Sequence, residues 1–135
     1  MIQITKERID RKAVVNSIAG SESGSLVTFD GRVRDHAREK KVTGLFYEAY
    51  EEMAHTELEK IRRQAMQKWP VAEIGIVHRI GRLEIGETSV FIAVASAHRR
   101  EGFEACRFII DTIKTSVPIW KKEFYEDGEI WVDHS

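Results

Sequence analysis

Two arginines at the end of a predicted strand could bind an anion. Arg32 and Arg34 are two residues apart, so both side chains point to one face of the strand. Paired guanidinium groups suit bidentate binding of a phosphate or a carboxylate. Gly31, directly before Arg32, permits close approach of a ligand to the backbone. A solvated strand end, with the arginines beside Asp35, is the structural alternative.

A basic run at a predicted helix start could bind an anion as well. His98, Arg99 and Arg100 follow an apolar strand and precede Glu101. The first backbone N–H groups of a helix have no partner within the helix and favour anions. Basic side chains are mildly unfavourable there, so a bound anion would account for them. A structural histidine, with arginines that pair with Glu101 and Glu104, is equally compatible with the sequence.

Lysines around the end of the last predicted helix could move protons. Lys114 lies near the helix end, where a cation is favourable for any helix. Lys121 and Lys122 lie on the following strand, so they face opposite sides and only one of them can join Lys114 in a site. A lysine among aromatic neighbours can have a lowered pKa and act as a nucleophile or base. A purely structural segment is the alternative.

All three segments lie at junctions between strands and helices, which are the usual location of α/β active sites. Together they predict one pocket of arginine, histidine and lysine side chains without paired carboxylates. Such a pocket holds an anionic substrate and stabilises developing negative charge. The single cysteine, Cys106, shares an apolar helix face with Phe103 and Ile110 and is predicted to be core packing.

The composition restricts the class of protein. The chain has 135 residues, of which 42% are hydrophobic and 32% are charged, and its formal net charge is −1. These values predict one domain, residues 1–135, and argue against a disordered chain and against a general nucleic-acid binder. No apolar stretch approaches the roughly 18 residues that cross a bilayer, and the N-terminus lacks a signal-peptide pattern. We therefore predict a cytoplasmic protein with no membrane segment. The sequence has a single cysteine and no Cys/His cluster with zinc spacing, which predicts no metal site.

The charges are segregated along the chain. Residues 32–41 include five basic and two acidic side chains, whereas residues 48–59 and 123–133 each include five acidic and no basic ones. This pattern predicts a local anion site on a neutral body. The acidic blocks are expected to keep the remaining surface soluble.

Periodicity and turn signals predict a β-α-β-β-α-β-β-α-β-β order. The helices are predicted after Asp10 up to Gly20, at 51–69 and at 101–115, and the strands at 2–4, 25–34, 42–50, 71–80, 87–97, 119–125 and 129–132. Two halves of similar pattern indicate an α+β fold, a mostly antiparallel sheet with helices packed on one face.

Four collinear motifs resemble one known family. They are Val27-Thr28-Phe29-x-Gly31-x-Val33-Arg34, His78-Arg79-Ile80-Gly81, Ser96-Ala97-His98-Arg99 and Lys114-Thr115…Pro118-x-Trp120-Lys121. In this order and spacing they are similar to the large, catalytic subunit of molybdopterin synthase. The resemblance extends from about Ile2 to Val132 and ends with the Gly128-x-x-Trp131-Val132 closure.

The resemblance implies a fold, partners and a reaction. The fold is an α/β hammerhead with a small β subdomain, and the chain forms a homodimer. Each subunit binds a small ubiquitin-like sulfur carrier whose C-terminal Gly-Gly ends in a thiocarboxylate, which gives a heterotetramer. The implied sulfurtransferase reaction converts cyclic pyranopterin monophosphate to molybdopterin by two successive sulfur transfers, without a metal or another cofactor.

Transfer of the motifs by position also implies site residues. The substrate-binding set is Arg32, Val33, Arg34, His98, Arg99, Lys114, Lys121, Lys122 and Glu123. Arg34, His98 and Arg99 would hold the phosphate and the pterin. Lys114 and Lys121 would be catalytic, stabilising charge and moving protons as sulfur attacks, and either lysine is allowed as the acid or the base. Phe29 would form a wall beside the partner's tail.

Two other functions are compatible with the same residues. A non-catalytic phosphate- or nucleotide-binding module would use the same basic pocket, but it needs only the arginines and has no use for Lys114. A dimeric scaffold would use the charged blocks only to dock a partner.

Overall fold

The computed structural model describes residues 1–132, which form three helices and nine strands. In chain order these are β1 Ile2–Thr5, α1 Arg11–Ile18, β2 Ser25–Arg32, β3 His36–Ala37, β4 Lys40–Ala49, α2 Glu51–Lys68, β5 Val71–Arg79, β6 Gly81–Leu83, β7 Thr88–Ser96, α3 Arg99–Ser116, β8 Ile119–Tyr125 and β9 Gly128–Val132. Asp133, the last residue of the predicted acidic block, lies outside the described residues.

The first sheet has the strand order β1-β5-β7-β2. Only β1 and β5 are parallel in this sheet, and the other pairs are antiparallel. β7 is buried along nearly its whole length because it lies between two neighbours and both of its faces are covered. The α+β class and the mostly antiparallel pairing predicted from the sequence are therefore confirmed.

The two faces of this sheet are covered by different helices. Ile92 and Val94 of β7 belong to the large core that also contains the buried residues of α2 and α3. Phe91 and Ala93 point the other way, into a smaller core with Val14 and Ile18 of α1. The prediction that helices pack on one face therefore holds for α2 and α3 but not for α1. The physical reason is that β5 and β7 carry apolar residues on both faces, and both faces need cover.

The second sheet forms the smaller β subdomain. Its strand order is β3-β4-β8-β9, and β6 also pairs with β4. β3 and β6 were not predicted, because strands of two or three residues are too short to show an alternating pattern. Gly81, with a φ of +87°, makes the tight turn that sends the chain from β5 in the first sheet to β6 in the second.

The helix α3 joins the two sheets and carries the predicted site residues at its two ends. It begins at Arg99, two residues before the predicted start, so that His98 is its N-cap residue. Cys106 is buried as predicted, and its burial raises the pKa of the thiol to about 11. Phe103 was predicted on the same face but is 61% exposed. None of the helices within residues 1–132 is long and apolar enough to cross a membrane.

Candidate active site

A cavity of about 310 Å³ opens where both sheets meet the C-terminal end of α3. β2, the β3–β4 hairpin, β4, β7, α3 and β8 all contribute to its wall. Its lining residues are Phe29, Asp30, Gly31, Arg32, Arg34, His36, Ala37, Val42, Leu45, Tyr47, Ser89, Val90, Lys114, Lys121 and Glu123. The volume suits a small organic ligand, and the lining combines apolar walls with a few charged groups.

Three cationic side chains meet in this cavity. Lys114 comes from the last turn of α3, Lys121 from β8 and Arg34 from the segment after β2. Partial desolvation and the positive charges of Lys121 and Arg34 lower the pKa of Lys114. Lys114 therefore holds a larger fraction of neutral amine at neutral pH than an isolated exposed lysine does, which suits it to exchange protons as well as to bind an anion.

Glu123 is a buried carboxylate beside Lys121. Its side chain is only 5% exposed, and its Oε2 lies 3.3 Å from Lys121 Nζ. Burial alone would raise the pKa of Glu123, but the hydrogen bond from Tyr125 and the charges of Lys121 and Arg38 outweigh it and lower the pKa. Glu123 is therefore ionised at neutral pH, and three neighbouring groups already bind its oxygens. This favours a role in holding Lys121 over direct contact with an anionic substrate.

The first predicted segment is only partly in the cavity. Arg32 lines the wall, but its guanidinium is also fixed to the carbonyl of Gly86, with Nε at 3.1 Å and Nη2 at 2.8 Å. Val33 is buried in the core, and its backbone N–H and C=O bind Glu87 and Gly86. Arg34, the third residue of this segment, is exposed and also lines the cavity.

The second predicted segment lies at the far end of α3. A helix rises about 1.5 Å per residue, so Arg99 is about 22 Å from Lys114 along the helix axis. His98 and Arg99 do not line the cavity that contains Lys114. The predicted single pocket with all three basic segments is therefore wrong within one chain, because the segments lie at opposite ends of one helix.

Lys121 and Lys122 face opposite sides of β8, as predicted. Lys121 lines the cavity. Lys122 lies on the other face, where its Nζ is 3.4 Å from Glu129 and 4.6 Å from the centre of the Trp131 ring. Lys122 is thus held by β9 and does not reach the cavity.

Sequence reasoning did not include two polar side chains of the wall, Tyr47 and Ser89. Burial raises the pKa of Tyr47, although a hydrogen bond with Ser89 opposes the change, so the phenol stays protonated at neutral pH. Tyr47 lies directly opposite Lys121 in the β4–β8 pairing. Only that register, which the sequence does not reveal, could have identified Tyr47 as a site residue. Phe29 was expected to wall the site, and it does line the cavity.

The arrangement can bind an anion and stabilise negative charge next to an apolar wall. Within residues 1–132, no group of three or more His, Cys, Asp or Glu side chains could hold a metal ion. Besides the lysines and arginines described above, the cavity lining contains two carboxylates. Asp30 is paired with Arg11, and the buried Glu123 is paired with Lys121.

Comparison with known proteins identifies the family. The sequence model of the MoaE protein family matches residues 4–116. The chain belongs to the MoaE family. Its relatives include the molybdopterin synthase catalytic subunit of Pyrococcus abyssi, 46% identical over 86% of this chain and 78% of the relative. The protein with the same name from Bacillus subtilis is 45% identical over 96% of this chain and 83% of the relative.

A solved structure of this family has the same fold. The crystal structure of molybdopterin synthase from Staphylococcus aureus superposes with a TM-score of 0.93 at 40% identity, over 97% of this chain and 96% of that chain. The family expected from the four sequence motifs is thus confirmed by an independent comparison. The MoaE fold in this chain consists of the two sheets and three helices described above.

Proposed function

We propose that this chain is the catalytic subunit of a molybdopterin synthase and acts in the biosynthesis of the molybdenum cofactor. Its proposed substrate is cyclic pyranopterin monophosphate, which it converts to the molybdopterin dithiolene by two sulfur transfers in the cytoplasm. The observation that carries this proposal is the meeting of Arg34, Lys114 and Lys121 in one cavity of a MoaE-family chain. No metal or other cofactor takes part in the proposed step.

The cavity supplies binding and charge stabilisation for this reaction. Arg34 and Lys121 bind the cyclic phosphate of the substrate, because guanidinium and ammonium groups are the usual ligands of phosphate oxygens. As a thiocarboxylate sulfur forms a bond to a substrate carbon, the bond between that carbon and its oxygen breaks. At one carbon the oxygen stays on the phosphate as the cyclic phosphate opens, and at the other it leaves as water. Lys114 and Lys121 stabilise the charge that develops and exchange the proton. Either lysine can act as the acid, with the other as the base.

The sulfur comes from a second protein in this proposal. The relatives are named catalytic subunits, a name that implies at least one further subunit. We propose that this subunit is a small ubiquitin-like sulfur carrier whose C-terminal Gly-Gly ends in a thiocarboxylate. After each transfer, water cleaves the bond between the acyl carbon and the sulfur, so the carrier leaves as a carboxylate and the sulfur stays on the pterin.

Two copies of the chain form one catalytic unit in this proposal. Arg99 and Lys114 lie at opposite ends of α3, so one chain cannot present both to the same substrate. A homodimer can, if the start of α3 in one protomer faces the cavity of its partner. We propose this arrangement, with one carrier for each protomer, as a heterotetramer. Val33 and Lys122 lie away from the cavity, so contacts between them and the substrate are not part of the proposal.

A binding experiment separates this function from the alternative of a non-catalytic nucleotide-binding module. Cyclic pyranopterin monophosphate, GMP and ATP are titrated into the chain by calorimetry. We expect the pterin to bind at least about tenfold more tightly than either nucleotide, a difference of about 1.4 kcal/mol. Equal or tighter nucleotide binding would favour the module. Arg34→Ala should weaken pterin binding, whereas Arg107→Ala, at an exposed ion pair on α3, should leave it unchanged.

A further inference from the structure

We propose that Arg38 is a positioning residue of this site. It fixes the carboxylate of Glu123, which holds Lys121, and it ties the β3–β4 hairpin against the cavity as one of its walls. Arg38 itself does not line the cavity. The structural part of this inference is independent of the reaction, whereas its kinetic readout rests on the proposed function.

The two oxygens of Glu123 have different partners. Oε1 accepts hydrogen bonds from Arg38 Nη1 and from the hydroxyl of Tyr125, and Oε2 lies 3.3 Å from Lys121 Nζ. Arg38 and Tyr125 also bind each other, with Nη1 3.3 Å from the phenol oxygen. Arg38 and Tyr125 thus fix one oxygen and thereby direct the other towards Lys121. Without Arg38, Oε1 keeps only the hydrogen bond from Tyr125, and the carboxylate can turn away from this orientation more easily.

Arg38 belongs to the hairpin that forms one wall of the cavity. His36 and Ala37 on β3 line the cavity, and they pair with Lys41 and Lys40 on β4. Arg38 and the residue after it make the turn with φ values of 52° and 63°, in the left-handed region that non-glycine residues rarely adopt. A two-residue ladder with such a turn has little stability of its own. The hairpin therefore depends on contacts with the rest of the chain.

Three ion pairs connect this hairpin to β8 and the β8–β9 turn. Lys40 lies 3.3 Å from Asp127 and Lys41 lies 3.9 Å from Glu126, but all four side chains are more than half exposed. Exposed pairs of this kind contribute little to stability. The pair of Arg38 with Glu123 differs because its carboxylate is buried. Among these three pairs, the Arg38 contact is thus the one expected to hold the hairpin.

The inference predicts a specific kinetic change for Arg38→Leu. Loss of the charge-assisted contact with the buried carboxylate should loosen the hairpin, so KM for the cyclic pterin should rise at least about tenfold in the complex with the sulfur carrier. The kcat should stay within about threefold, because Tyr125 still holds Glu123 beside Lys121 and bound substrate keeps the hairpin against the cavity. Hydrogen exchange of the segment 35–42 should accelerate about tenfold, because the hairpin loses the same contact.

Two further variants test the mechanism. Arg38→Lys keeps a cation that can reach Glu123, so it should recover KM to within about threefold of wild type. Lys41→Met also removes a cation from the same hairpin, but the ion pair that it breaks is exposed, so KM should change less than about twofold. The comparison separates the contact with Glu123 from the general loss of positive charge near an anionic substrate.

The outcomes are distinguishable. If the wild-type complex does not turn over, the proposed function fails, and hydrogen exchange alone still decides whether Arg38 holds the hairpin. The inference is wrong if Arg38→Leu has wild-type KM and wild-type exchange in 35–42. It is also wrong if kcat falls with KM unchanged, which indicates loss of folded enzyme, or if Arg38→Lys recovers nothing.

Discussion

Replacement of Lys114 by alanine is expected to lower kcat at least about 100-fold, because general acid–base catalysis contributes at least that factor. The lowered pKa of Lys114 and its position beside Lys121 and Arg34 make it the best-placed proton carrier of the cavity. The fold should survive, since Lys114 is outside the buried core and its favourable position at a helix end is worth about 0.3–1 kcal/mol. Turnover and circular dichroism are measured on the same preparation.

A matched control exists on the other long helix. Lys68 also lies in the last turn of its helix, but it contacts Phe108 and not the cavity. Lys68→Ala should therefore keep normal turnover, while Lys114→Arg, which keeps the charge but cannot release its proton, should stay below about a tenth of wild type. Normal turnover by Lys114→Ala would remove Lys114 from the mechanism.

Two inactive variants are expected to restore activity in one dimer. If Arg99 of one protomer completes the cavity of the other, a dimer of one Lys114→Ala chain and one Arg99→Ala chain contains one intact site and one doubly altered site. The purified heterodimer should therefore show about half of the wild-type activity. The two chains carry different tags and are expressed together, and the doubly tagged dimer is assayed with the carrier protein.

A second heterodimer is the control for this complementation. Lys114 and Lys121 line the same cavity of one chain. A dimer of one Lys114→Ala chain and one Lys121→Ala chain then has one defect in each site and should stay inactive. Absence of any gain in the dimer of Lys114→Ala and Arg99→Ala would refute a site shared between protomers.

Much of the fold was predictable because its signals are local. The 4-3-4 spacing predicts the buried face of α2, and the buried residues are the four expected ones, Ala54, Leu58, Ile61 and Ala65. The apolar run of β7 predicts a central strand covered on both faces. The prediction that Phe103 is buried was wrong. Instead, the small residues Gly102 and Ala105 face the core and let α3 pack closely on β2, where a Cβ at Gly102 would lie 2.9 Å from Val27.

The candidate site was predictable in its chemistry and less so in its geometry. Residue types alone indicate an anion-binding pocket, but proximity depends on pairings between residues far apart in sequence. Arg38 and Glu123 are 85 positions apart and meet only through the β4–β8 register. The basic block of residues 32–41 thus has two roles. Arg34 faces the cavity, whereas Arg38, Lys40 and Lys41 pair with the acidic segment that starts at Glu123.

The central claim is that a carrier protein supplies the sulfur which this chain transfers. The most direct test uses a carrier whose C-terminal thiocarboxylate contains ³⁴S, incubated with the chain and cyclic pyranopterin monophosphate, with the product analysed by mass spectrometry. We expect a dithiolene product with two ³⁴S atoms and two consumed carriers for each product. A product without the label, or conversion at an equal rate by the chain with inorganic sulfide alone, would contradict it.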